Sequence, residues 1–60
     1  MVGWQIIYVD AGNKLRNGGF TNWRTAADAE EEAWRRAEKH NEHVFNPLDK
    51  VVNVVCAKVG

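Results

Sequence analysis

Thr25-Ala26-Ala27-Asp28-Ala29-Glu30-Glu31-Glu32-Ala33-Trp34-Arg35-Arg36-Ala37-Glu38-Lys39-His40, residues 25–40, is the stretch whose reading decides the fold. At 100° per residue, Ala26, Ala29, Ala33 and Ala37 fall on one stripe that continues to Val44, with Ala27, Trp34 and Phe45 along its edge. The pattern predicts one amphipathic helix from Ala26 to about Val44. Thr25 supplies the N-cap of a Thr-x-x-Asp box, its hydroxyl placed to accept from the amide of Asp28. Asp28, Glu30, Glu31 and Glu32 precede Arg35, Arg36 and Lys39, the order that complements the helix dipole. Glu31 to Arg35 and Glu32 to Arg36 are also in the favourable i to i+4 sense. Asn46-Pro47 stops the helix, because the residue before proline is pushed out of helical geometry.

The flanks of this helix read as strands. Trp4 to Asp10 is a β-branched and aromatic run that ends in the turn-forming cluster Asp10-Ala11-Gly12-Asn13. Lys14 to about Phe20 is its hairpin partner. Asn17-Gly18-Gly19 is a second turn or bulge signal, but a reversal there leaves only Phe20 to Trp23 as the partner strand. After a turn over Asn46 to Lys50, Val51 to Ala57 is a valine-dense last strand. Strand, strand, helix, strand has an economical solution in a single α+β domain. It is a two-layer ββαβ fold with a three-stranded sheet of order 2-1-3, the last strand antiparallel to the first, and the helix crossing over one face with right-handed connection.

Both faces of that sheet are apolar, and one helix covers only one of them. Trp4, Ile6 and Tyr8 point one way and Ile7 and Val9 the other; Val52, Val54 and Cys56 oppose Val51, Val55, Ala57 and Val59, with only Gln5, Asn53 and Lys58 breaking the pattern. An antiparallel sheet with a solvated face is normally polar there, so the excess points to an association surface. A one-residue change of register exchanges the two sets. We expect Trp4, Ile6 and Tyr8 to face outward, because aromatic residues are enriched at interfaces and a narrow alanine stripe suits the smaller Ile7 and Val9. The expected partner is a second copy or a larger protein.

Residues that invite chemistry have plainer readings. Glu30 lies close to the alanine stripe, where a carboxylate needs its desolvation offset, but in the second helical turn it can bend to solvent or meet Lys14, Arg16 or Arg24. Cys56, the single cysteine, alternates with valines and reads as a small buried hydrophobe that closes no intrachain disulfide. His40 and His43 with Glu42 or Asp49 resemble a metal set, yet the His-Glu-x-x-His spacing of a zinc hydrolase helix is absent. Gly12, Gly18 and Gly19 form no phosphate-binding fingerprint. The sequence therefore implies neither enzyme nor cofactor nor metal.

With 60 residues, eight basic and eight acidic, the chain has one small core and no global charge to attract nucleic acid or an anionic membrane. Charge is nevertheless uneven. Residues 1–25 carry net +2 and residues 26–45 net −3. The alternative reading is thus a nucleic-acid-binding module in which Lys14, Arg16 and Arg24 meet phosphates while Phe20 and Trp23 stack on bases. Three cations are a thin footprint for that role. No apolar run reaches the ~20 residues needed to span a bilayer, and Met1-Val2-Gly3-Trp4 lacks a charged start, so a cytoplasmic protein without membrane contact is expected. In size and composition the chain resembles the small accessory or inhibitor proteins of phages and other mobile elements. That resemblance implies binding to larger machines, and it rests on no motif.

Overall fold

The structure, a computed structural model, describes residues 3–59; Met1 and Val2, read above as an uncharged start, lie outside them. Strands β1 (Gly3–Asp10) and β2 (Leu15–Thr21) form a hairpin, helix α1 (Ala26–Asn41) follows, and a short 3-10 turn (Pro47–Asp49) leads into β3 (Val51–Val59). The sheet order is β2-β1-β3 and both pairings are antiparallel. This is the two-layer α+β architecture the sequence predicts.

The hairpin reverses at the earlier turn. Asp10 N–H donates to the Lys14 carbonyl at 3.0 Å and Asn13 N–H to the Asp10 carbonyl at 2.9 Å, with Asn13 in the left-handed region at φ 64°. Asparagine tolerates that conformation better than most residues. Asn17-Gly18-Gly19 is instead a bulge: Ile6 pairs with Gly19 and Ile7 with Asn17, which leaves Gly18 over. Gly19 has φ 92°, a conformation that costs glycine nothing. At Gly18 the reason is space, because an added Cβ would stand 2.5 Å from Ile6 Cγ2 and 2.9 Å from the Tyr8 ring.

Thr25 caps the helix as its box predicts, accepting from Asp28 N–H at 3.2 Å. The Asp28 carboxylate in turn accepts from the Thr25 hydroxyl at 2.9 Å rather than from its backbone amide. The helix ends at Asn41, three residues before the expected Val44. Asn41 is used elsewhere: its side chain accepts from Val51 N–H at 2.8 Å and donates to the Val51 carbonyl at 3.1 Å, filling the place of a neighbouring strand. Phe45, expected along the helix edge, therefore falls beyond the helix and is fully exposed.

The core lies between α1 and the sheet and holds Ile6, Tyr8, Ala33, Ala37, Val51 and Val54, with Trp34 and Cys56 packed against it. This corrects the expected orientation of the sheet, since Ile6 and Tyr8 lie under the helix and not on the outer face. Volume complementarity explains the reversal. Alanines at 29, 33 and 37 leave a gap that large side chains fill, so small residues on the helix select large ones on the sheet. A second bulge acts on β3, where Val9 pairs with Asn53 and Asp10 with Val51. Val52 is the extra residue and is exposed, while Val51 takes the buried place beside Val54.

Candidate interaction face

Side chains directly opposite each other in an antiparallel ladder share a face, so the register assigns the surface turned away from the helix. Its middle row is Gln5, Ile7 and Val9 on β1. β2 adds Leu15, Asn17 and Phe20, and β3 adds Asn53, Val55, Ala57 and Val59. No charged residue is among them. Leu15 is 72% exposed, and Phe20, Val55 and Val59 are each close to 45%. The Phe20 ring lies over Gly3, in the place a Cβ there would occupy.

Each of the three amides on this face is engaged through one of its ends. Gln5 Nε2 donates to Asn17 Oδ1 at 2.7 Å, and Asn17 Oδ1 also accepts from Gly19 N–H at 2.9 Å. Asn53 Oδ1 accepts from Val54 N–H at 2.9 Å. Covering the face leaves these bonds intact, which lowers the cost of burying the amide ends that make them. The same bonds occupy backbone groups on the outer strands. Arg36 Nη1 reaches the Gly18 and Phe20 carbonyls on β2 at 3.4 and 3.3 Å, and Asn41 holds the start of β3. Side chains thus guard β2 and the start of β3 against edge-to-edge pairing.

The residues of the expected interface are elsewhere. Ile6 and Tyr8 belong to the core, and Trp4, half-buried on the helix side, donates its indole N–H to the Trp23 carbonyl at 2.8 Å. Ile7, Val9 and Val55 take their place, and a signal for them was present. Gln5 shares the parity of Ile7 and Val9, and Asn53 that of Val55, so two of the three polar interruptions marked the solvent side, whereas Lys58 pairs with Trp4 on the helix side.

The five residues of the nucleic-acid reading do not converge. Lys14 and Arg16 stand at the hairpin turn, while Phe20, Trp23 and Arg24 follow the length of β2 to its other end, roughly 20 Å away at ~3.3 Å per residue. Arg16 is engaged twice, with Asp10 at 3.0 Å and Asp49 at 2.9 Å. Phe20, Thr21, Asn22, Trp23, Glu32 and Arg36 line an open groove of about 510 Å³. Its one cation, Arg36, is held by Glu32 at 2.9 Å.

No catalytic grouping emerges from the remaining candidates. Glu30 is exposed. Burial, helped by the negative charge of Glu30, pushes the Cys56 thiol up, which keeps it protonated and a poor nucleophile. His43 is exposed, Asp49 is engaged by Arg16, and among the described residues no group of three or more His, Cys, Asp and Glu could hold a metal ion. His40 lies beside Tyr8 with ring centroids 6.1 Å apart, and its Nε2 is buried without a hydrogen-bond partner. No helix among the described residues is long and apolar enough to cross a membrane. Comparison with protein-family models, curated proteins and solved structures finds no match to the chain.

Proposed function

We infer that this chain is a small noncatalytic protein–protein interaction domain and that the free face of its sheet is the contact surface. One observation carries the reading. A face with no charged side chain, on which Gln5, Asn17 and Asn53 each already make a hydrogen bond, is left uncovered by every described element. Contiguous apolar surface of this kind on a soluble chain marks an interaction site.

The test separates a face kept for association from one the fold itself needs. Val55→Lys in dilute protein should move stability by no more than about 0.5 kcal/mol, the usual range for a surface substitution. It should also lower several-fold the fluorescence of an apolar dye, anilinonaphthalene sulfonate, bound to the folded chain. A loss of about 2 kcal/mol or more would place Val55 in the chain's own packing and remove the reading.

A further inference from the structure

We propose that the outer edge of β3, from Val54 to Lys58, takes up an extended peptide in antiparallel pairing, with a basic residue beside Cys56 and an acidic one beside Lys58. This surface is the rim of the sheet and not its free face, so the proposal stands apart from the reading above. Backbone direction is the first argument. Asp10 N–H donates to the Lys14 carbonyl and so points toward β2. Backbone groups alternate sides along a strand, which turns Val9, Ile7 and Gln5 toward β3 to exchange bonds with their partners Asn53, Val55 and Ala57. Val54, Cys56 and Lys58 then turn their N–H and C=O groups outward. Asn53 Oδ1 takes the Val54 N–H, and beyond it the row has no partner among the described residues. The rest of the rim is guarded: Arg36 holds two carbonyls of β2, and Asn41 holds both backbone groups of Val51. An open row of alternating donors and acceptors matches one kind of ligand, a polypeptide backbone in extended form.

Charge is the second argument, and the helix supplies it. Asn41 fixes where α1 meets the rim, at Val51, and Trp34 and Glu30 follow on the same stripe of the helix. From Asn41 back to Glu30 the helix covers about 17 Å, as does the strand from Val51 to Cys56, so Glu30 stands level with Cys56. The negative charge of Glu30 is felt at the Cys56 thiol, in agreement with that placing. Both Glu30 and Lys58 are exposed, and neither joins an ion pair among the described residues. The side chains of Cys56 and Lys58 lie on the helix side, opposite Ile6 and Trp4, and those of Val55 and Ala57 on the free face. An added strand sets one side chain beside Cys56, where Glu30 favours a cation, and another beside Lys58, which favours an anion. Its alternate residues, next to Val55 and Ala57, are apolar. So short a contact buries little, and the capture is weak and transient.

The probe is the peptide acetyl-Glu-Val-Lys-Val-Thr-amide, and acetyl-Lys-Val-Glu-Val-Thr-amide, of the same composition, is its control. With millimolar peptide, heteronuclear NMR of the isotope-labelled chain should show the Cys56 and Lys58 amides moving downfield and saturating, and the control should bind at least about fivefold more weakly. Lys58→Pro removes an outward N–H without breaking a bond to β1, and with the ammonium gone as well it should weaken the probe at least about fivefold. Glu30→Lys, at an exposed helix position, should abolish the preference between the two peptides. Circular dichroism establishes that the variants fold; if Lys58→Pro does not, Glu30→Lys carries the test. Cys56 and Lys58 amides that do not move overturn the proposal, as do shifts centred instead on Ile7 and Val9, which would place the peptide on the free face. Equal affinity for the two peptides, or a preference that survives Glu30→Lys, overturns it as well.

Discussion

Asp10 shows how one residue ties three segments together. Its side chain is almost wholly enclosed at the end of β1, where the carboxylate accepts from Lys14 N–H at 2.8 Å and from Arg16 Nε at 3.0 Å. Arg16 continues to Asp49, while Ala11 and Gly12 donate to the carbonyls of Lys50 and Leu48. The hairpin tip is thereby fastened to the turn before β3. The Lys14 amide above all, with Arg16 and Gly12, outweighs burial and holds the Asp10 carboxyl below its ordinary range. A carboxyl depressed in the folded state stabilises fully above its unfolded pKa, about 3.9, and loses that contribution as pH falls through the folded value. Asp10→Asn should therefore lower the urea midpoint at pH 7, and the gap from wild type should narrow as pH drops below about 4. An equal gap at pH 7 and pH 3 would mean that the carboxylate charge is not what stabilises the turn.

At the level of elements, the start of the helix and both turns were legible because each has a local cause, a capping box, an Asp-x-Gly-Asn turn and a turn at Asn46-Pro47, and the strand order followed from the economy of the connections; the helix end was not, since the helix stops at Asn41, ahead of the proline. The orientation of the sheet was not, since it depends on which set of side chains fits beneath three alanines, a property of two elements packed together. The bulges compounded the difficulty. Gly18 and Val52 each shift parity within a strand, so strict alternation assigned Val52 to the set that in the fold contains Val51. The β2 bulge is testable by steric means. Gly18→Ala should destabilise by about 1–3 kcal/mol, the range for overpacking, because its Cβ would press on the buried Ile6 and Tyr8. Gly12→Ala is the control, since its Cβ meets nothing closer than 3.4 Å. Equal denaturation midpoints for the two variants would show that Gly18 does not face the core.

For the whole molecule the decisive fact is how little is buried. The buried apolar residues are Ile6, Tyr8, Val51 and Val54 with Ala29, Ala33 and Ala37, so nearly half of that core is alanine. A chain of 60 residues with so small a core is marginal on its own, and the proposed association would add to its stability. On the proposed reading, the elements that stabilise the fold and the free face would be parts of one equilibrium, because covering Ile7 and Val55 would add apolar burial that the single helix cannot supply. Where the partner is a second copy, this coupling has a thermal signature. When a dimer unfolds to two chains, a tenfold rise in concentration adds about 1.4 kcal/mol per dimer, or about 0.7 per chain. For a domain of this size, where 1 kcal/mol moves the midpoint by roughly 4–8 °C, the melting temperature should climb by about 3–6 °C for each tenfold step above the dissociation constant. Ile7→Glu should melt at one temperature across the same range. A wild-type midpoint that does not move between micromolar and millimolar protein would show that the seven buried residues suffice, and that self-association is no part of folding in this chain.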